Sequence, residues 1–322
     1  MIKIMTKPTL SVVLPNYNHA KFLPRAIEAL VNQTRPPDEL FIIDDASTDN
    51  SVEVIEPYLT RYSFIRFLRN PKNMGVNAAN RKLFALAQGD YIHPCAADDL
   101  RFPRFFELAM EMVERYPQAG IVFGDIQVKN GRDEEIGHVS VQQWQEPLYA
   151  APDRFLDEYL DAELASHSTS PAMIYRRDAF EEVGWYREEL ESWADTFAAR
   201  AIGLKYGACY IPENVAVDYR LEGSYSQGIK DDPRRAIDIV SRAARLMRSD
   251  EFRGRFPEQH VRNWESQFRR LVAWNYLLGS ETTTRRSSFL VRNIKRLPRL
   301  LATLAVLSYK GDTSCYDTTE QP

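Results

Sequence analysis

The sequence predicts an α/β protein built on a mostly parallel sheet with flanking helices, followed by a helical C-terminal region. Three observations predict it. Short apolar runs alternate with stretches of helical periodicity from residue 9 to residue 125. That strand–helix alternation is the pattern of parallel sheets covered by helices. After about residue 228 the strand pattern stops and helical spacing takes over.

The elements follow in order. TLSVVLP (9–15) reads as a buried first strand, and Phe22, Leu23, Ala26, Ile27, Leu30 and Val31 recur at helical spacing behind it. ELFIID (39–44) is the second strand. The turn-rich DDASTDNS follows, where Ser47, Thr48 or Asp49 can cap a helix through Val54 and Ile55. SFIRFL (63–68) predicts a third strand, Val76 to Ala87 a third helix and GDYIH (89–93) a fourth strand. A helix from about Pro103 to Tyr116 and the strand AGIVFGD (119–125) continue the sheet, and residues 129–150 read as irregular or hairpin. PAMIYRR (171–177) is expected as a strand, Ala194 to Tyr206 as a helix and ACYIP (208–212) as a further strand. Three helical stretches are expected between Asp231 and Leu307. The organisation is therefore a sheet domain over 1–228 and a helical region over 229–322, with the boundary near 225–230.

Composition narrows the class. The chain has 322 residues, 44% hydrophobic and 27% charged, which suits a folded protein rather than a disordered one. A net charge of −4 gives no reason to expect a nucleic-acid partner. Residues 282–310 carry seven Lys or Arg and no acid, leaving −11 on the rest. Within that stretch FLVRNIKRLPRLLATLAVLSYK (289–310) is basic and apolar at once. It suits peripheral contact with an anionic membrane, packing against the sheet domain, or a homodimer interface. Cys95, Cys209 and Cys315 are widely spaced, which favours a reducing compartment. Neither a signal peptide nor a run of membrane-spanning length is visible, so a cytoplasmic location is expected, extending to the inner face of the membrane if the basic segment docks there.

The chemistry concentrates at YIHPCAADDL (91–100), where Asp98 and Asp99 follow a strand. In open α/β sheets ligands bind at the carboxyl ends of the strands. No GxGxxG follows the first strand and no GxxxxGK[ST] occurs, which argues against dinucleotide and P-loop binding. PNYNHAKFL offers the side chains Asn16, Tyr17 and Asn18 there instead. His93 and Cys95 form an HxC pair with no second pair, and packing is the better reading.

SVVLPNYNHAKFLPRAIEALVNQTRPPDELFIIDDASTDNS resembles the opening of family 2 glycosyltransferases, which have the GT-A fold. NMGVNAAN (73–80), GDYIHPCAADDL and RRDAFEEVGWYREELESWADTFAARAIGLKYG (176–207) resemble later motifs of that family in the same order, so the likeness covers about residues 9–226. The resemblance implies an inverting glycosyltransferase that takes its sugar from a nucleoside diphosphate donor, with Mg²⁺ or Mn²⁺ as cofactor. It implies Asp99 as metal ligand, Asp98 as ribose or sugar contact and Asp45 as the base-reading carboxylate, with Asp44 second. Pro15, Tyr17 and Asn73 would frame the base. A carboxylate suits the N3–H of uracil or thymine, so UDP- or dTDP-sugars are favoured and GDP-sugars stay open. Asp195 matches the family's general base, with Glu191 as the fallback. Trp185 and Trp193 are candidates for acceptor-site walls or for core.

DYRLEGSYS (218–226) resembles the segment that folds over the donor, with Arg220 and Ser224 as candidate phosphate contacts. Two departures stand out. Ala97 replaces a further acid before the pair, and Glu222 stands where many relatives have His. They support a rival reading, a sugar-nucleotide-binding scaffold without turnover. The acceptor implied by the resemblance is a glycan or lipid-linked saccharide, in bacterial surface polysaccharide or glycolipid synthesis.

Overall fold

The structure is a computed structural model that describes residues 7–162, 170–221 and 232–278. The expected boundary near 225–230, Glu222, Ser224, Cys315 and the basic segment 289–310 lie outside the described residues.

Strands β1 (Leu10–Asn16), β2 (Glu39–Asp44), β3 (Ile65–Arg69) and β4 (Tyr91–Pro94) are parallel, in the order β3–β2–β1–β4. β1 and β2 are almost wholly buried, which is why they read as unbroken apolar runs. β3 forms the edge, and its exposed Arg66 and Arg69 keep that edge polar. Helices α1 (Leu23–Val31), α2 (Ser51–Arg61) and α3 (Val76–Leu86) provide the crossovers. Leu23, Ile27 and Leu30 of α1 pack with Val12, Leu14 and Ile42 and with Phe105, Phe106 and Met110 of α4 (Phe105–Arg115) in one apolar core.

The second half of the sheet departs from the expected pattern where proline and short pairings intervene. β5 (Leu100–Arg101) has only two residues, too few for a periodic signal, and pairs antiparallel with Val217 and Ala216. β6 (Ile121–Asn130) runs past the expected end and turns back into β7 (Glu135–Val139), so the hairpin alternative for 129–150 is the one found. β8 is Leu148–Ala150. The strand expected over 171–177 shrinks to β9 (Ile174–Arg176), because Pro171 cannot donate to a ladder and lies in a 3₁₀ turn, Ser170–Ala172. β10 (Ala208–Arg220) instead continues through Pro212, with register shifts between Ile211, Asn214 and Ala216 absorbing the missing donor. The complete order is β3–β2–β1–β4–β9–β6–β10–β5, with β7 on β6 and β8 on β10. Helices α5 (Arg177–Glu182) and α6 (Ala194–Tyr206) lie between β9 and β10 in the chain.

The described residues form two units, one of 7–162, 170–221 and 252–256 and a second of 232–251 and 257–278. In the second unit α7 (Pro233–Met247) starts on Asp232, whose carboxylate accepts from the amides of Arg234 and Arg235, with Pro233 as first helical residue. α8 (Glu258–Leu278) packs on α7, and Arg248 bonds Glu258 and Glu265.

Candidate active site

β1 is the strand at which the sheet order reverses, with β2 and β3 on one side and β4 on the other. Such switch points open a crevice at the carboxyl ends of the strands. Three loops meet there, after Asn16, after Asp44 and after Pro94.

The two second-strand acids divide cleanly. Asp44 is fully buried and accepts from Asn16 Nδ2 at 3.0 Å and Ser47 N at 3.0 Å, with Arg69 Nε at 3.4 Å. It therefore fastens the first two loops. Asn18 adds to the seam, since its N–H donates to Ser47 Oγ and its Oδ1 accepts from Thr48 N. The positive φ values of Asn18 (54°) and Ala46 (63°) mark how tightly these loops turn. Asn16 Oδ1 is buried with no hydrogen-bond partner among the described residues.

Asp45 points to the third strand's loop. Its carboxylate accepts from Asn70 Nδ2 at 2.7 Å, Met74 N at 2.9 Å and Gly75 N at 2.9 Å. Gly75 has φ +85° and ψ 153°, a conformation open essentially to glycine alone. Asn73 shapes the same loop, its Oδ1 accepting from Gly75 N at 2.9 Å. Pro15 is half-buried in β1 opposite Ile43, while Tyr17 and Met74 leave 42% and 50% of their surface in solvent. Exposed apolar side chains thus lie in the loops on both sides of Asp45. Met74 was not legible in the sequence, because a methionine between Asn and Gly carries no motif of its own.

Asp98 is half-buried and Asp99 buried. The Asp98 carbonyl accepts from Arg25 Nη2 at 3.3 Å, and Asp99 Oδ1 accepts from Tyr219 N at 3.3 Å. Burial first, then the Asp98 charge, pushes the Asp99 carboxyl well above the usual carboxylate range; Arg101 opposes this and Asp218 adds to it. A buried carboxylate with acidic neighbours is short of positive charge, and the site chemically fits a hard cation. Among the described residues no group of three or more His, Cys, Asp or Glu is placed to hold a metal. The donor set therefore suits an ion that takes one or two protein carboxylates and completes its shell with phosphate oxygens and water.

His93 is not a metal candidate. Its Nδ1 bonds the Met173 carbonyl at 2.7 Å and its Nε2 accepts from Arg101 Nε at 3.0 Å, which fixes a neutral ring protonated at Nδ1. Burial holds its pKa well below the usual value. Cys95 and Cys209 are buried thiols, pushed up to about 11 and about 12 by burial, so both are poor nucleophiles. Arg101 was missed by sequence reasoning, although a charged residue two places after an acid pair is a usable signal. Asp218 and Tyr219 open the quoted segment DYRLEGSYS, but their place beside Asp99 was not legible, because the long β10 that carries them there was not foreseen.

Asp195 lies at the amino end of α6, half-buried. Its Oδ1 accepts from Thr196 N at 2.5 Å and Thr196 Oγ1 at 3.1 Å, and its Oδ2 accepts from the Ser170 hydroxyl. Glu191 precedes it at φ 50°, ψ −124°, a strained backbone. Trp185 stacks on Phe84 and meets Phe180 edge-on, which is core packing; Trp193 is half-buried between Phe197 and the Arg200 guanidinium. Arg220 pairs with Asp218 at 2.6 Å.

The comparisons with known proteins agree with this architecture. The sequence profile of glycosyl transferase family 2 matches residues 11–184, more than half of the chain, and the chain belongs to that family. It is 39% identical over 99 residues to the cholesterol galactosyltransferase of Borreliella burgdorferi, covering 31% of this chain and 27% of that protein. To the chondroitin synthase of Escherichia coli it is 32% identical over 104 residues, 32% of this chain and 15% of that one. The chain thus spans less than a third of either relative. Among solved structures, S. aureus TarS 1–349 in complex with UDP-GlcNAc superposes with a TM-score of 0.65 at 14% identity, covering 97% of this chain and 95% of that one. The mannosyltransferase PcManGT of Pyrobaculum calidifontis, in complex with GDP-Man and Mn²⁺, gives 0.59 at 17%, covering 97% and 82%. At these identities the likeness establishes the fold, and that fold is GT-A. No helix of the described residues is long and apolar enough to cross a membrane.

Proposed function

We propose that this chain is an inverting, metal-dependent glycosyltransferase that moves a sugar from a UDP- or dTDP-sugar to a glycan or lipid-linked saccharide. The observation that carries the reading is the acid pair Asp98–Asp99 just past the carboxyl end of β4, beside the switch point where Asp45 opens the loop after β2. Asp45 has two duties. Asn70 Nδ2, Met74 N and Gly75 N fasten the 70–75 loop to it with four hydrogen bonds, and a base N–H would share one of its oxygens with these donors. Tyr17 and Met74 give the base apolar faces, and Pro15 and Asn73 set the loops that carry them.

Asp98 meets the ribose or the sugar and Asp99 holds the metal. A bound Mg²⁺ or Mn²⁺ neutralises charge on the leaving diphosphate as a Lewis acid. The acceptor hydroxyl attacks the anomeric carbon as the bond to the diphosphate oxygen breaks, and Asp195 takes the hydroxyl proton. Neighbours of this fold have been captured with UDP-GlcNAc and with GDP-Man and Mn²⁺, which supports a nucleoside diphosphate donor while leaving the base to be measured. Relatives named for galactosyl transfer to cholesterol and for chondroitin synthesis support a lipid or polymer acceptor. A role in surface polysaccharide assembly, at the inner face of the membrane, belongs to the same proposal.

Asp195→Asn tests it. Nucleotide release from UDP-glucose, UDP-galactose, UDP-GlcNAc and GDP-mannose with Mn²⁺ is expected to fall by about 10²–10⁴-fold while nucleotide binding persists. Unchanged release in the variant contradicts the assignment of the base.

A further inference from the structure

The Asp195 carboxylate is not symmetrically held. Oδ1 takes two donors from its own neighbour, Thr196 N and Thr196 Oγ1, which saturate that oxygen within the helix start. Among the described residues Oδ2 takes one, the hydroxyl of Ser170, from a separate segment 25 residues earlier in the chain. Oδ2 is thus the oxygen with a lone pair left to accept a proton, and Ser170 is what fixes the direction of that lone pair.

Ser170 is itself held in a turn. It opens the 3₁₀ turn Ser170–Ala172, whose Pro171 and Ala172 are buried, and its carbonyl accepts from Met173 N at 3.3 Å. The Met173 carbonyl bonds His93 Nδ1 at 2.7 Å, and His93 Nε2 accepts from Arg101 two residues past Asp99. The turn that carries this hydroxyl is therefore bonded to His93 of β4, the strand that precedes the acid pair.

We propose that Ser170 is a positioning residue for the general base: its hydroxyl holds Asp195 so that Oδ2 presents its free lone pair to the acceptor hydroxyl. This rests on the reading of Asp195 as the base. A serine or threonine hydroxyl can donate this bond and an alanine cannot. Losing it frees the carboxylate to rotate, and misorientation of a catalytic group costs rate rather than donor affinity.

The test compares wild type, Ser170→Ala, Ser170→Thr and Asp195→Asn in nucleotide release from the same four donors with Mn²⁺, with UDP affinity measured in parallel. Ser170→Ala is expected to lower kcat about tenfold with KM for the donor and UDP affinity unchanged, and Ser170→Thr to recover most of the loss. Ser170→Ala with kcat within about twofold of wild type, or with donor KM and UDP affinity degraded as much as kcat, overturns the inference while an inactive Asp195→Asn leaves the base standing. Wild-type turnover in Asp195→Asn, or no release from any donor by the wild type, overturns both.

Discussion

At Gly75 one backbone conformation joins loop shape to the proposed nucleotide site. Its φ of +85° and ψ of 153° let its N–H reach Asp45 Oδ2, although a Cβ there would meet nothing within 4 Å. The constraint is torsional rather than steric crowding. Gly75→Ala is therefore expected to cost about 1–3 kcal/mol of stability and to weaken nucleotide binding by loosening the loop, read by denaturant unfolding and by UDP titration. Equal stability with unchanged binding would contradict the loop's role. At this scale the sequence was informative about residue identity and silent about partners. Asp98, Asp99, Asp45 and Asp195 stood in motifs that could be quoted. That Asp44 turns inward and Asp45 toward the 70–75 loop follows from side-chain direction at a strand end, which two adjacent identical residues cannot announce. Ser170 carried no motif, and its contact with Asp195 bridges segments distant in sequence.

Elements are joined by a few charged residues whose effect depends on pH. Glu182, at the end of α5, accepts from Lys205 Nζ at 2.7 Å, from the Tyr206 hydroxyl at the end of α6, and from Arg255. Burial works against its charge, but these three donors outweigh it and hold its carboxyl down at about 2. The folded value lies below the unfolded one, so its stabilisation is fully present above about pH 4.5 and is lost as the pH falls through about 2. Glu182→Gln is expected to lower Tm by about 2–4 °C at pH 7, with the difference from wild type narrowing as the pH drops below 4.5. A difference that does not change with pH would show that packing, not charge, joins these helices. Elements with strong periodicity, from β1 to α4, were legible in the sequence. Those governed by proline were not: Pro171 shortened β9, whereas Pro212 was absorbed by a bulge in β10, and which outcome occurs depends on neighbouring strands.

For the molecule as a whole, the parallel half of the sheet places three loops at one switch point, and the second half supplies Asp195 and the strand that covers Asp99. The fold class was legible because alternation of strand and helix repeats four times before residue 125. The helical region shows its amphipathic pattern in α7, where Ile239, Val240, Ala243, Ala244 and Met247 are buried. In the proposed function Asp99 and a divalent cation together build the site for a nucleoside diphosphate. The most direct measurement is the thermal shift produced by UDP, dTDP, GDP and CDP, each with and without Mn²⁺, on wild type and on Asp99→Ala. A shift with UDP or dTDP that requires Mn²⁺ and disappears in Asp99→Ala is expected. A nucleotide shift that survives removal of both the metal and the carboxylate, or none with any nucleotide in the wild type, would contradict it.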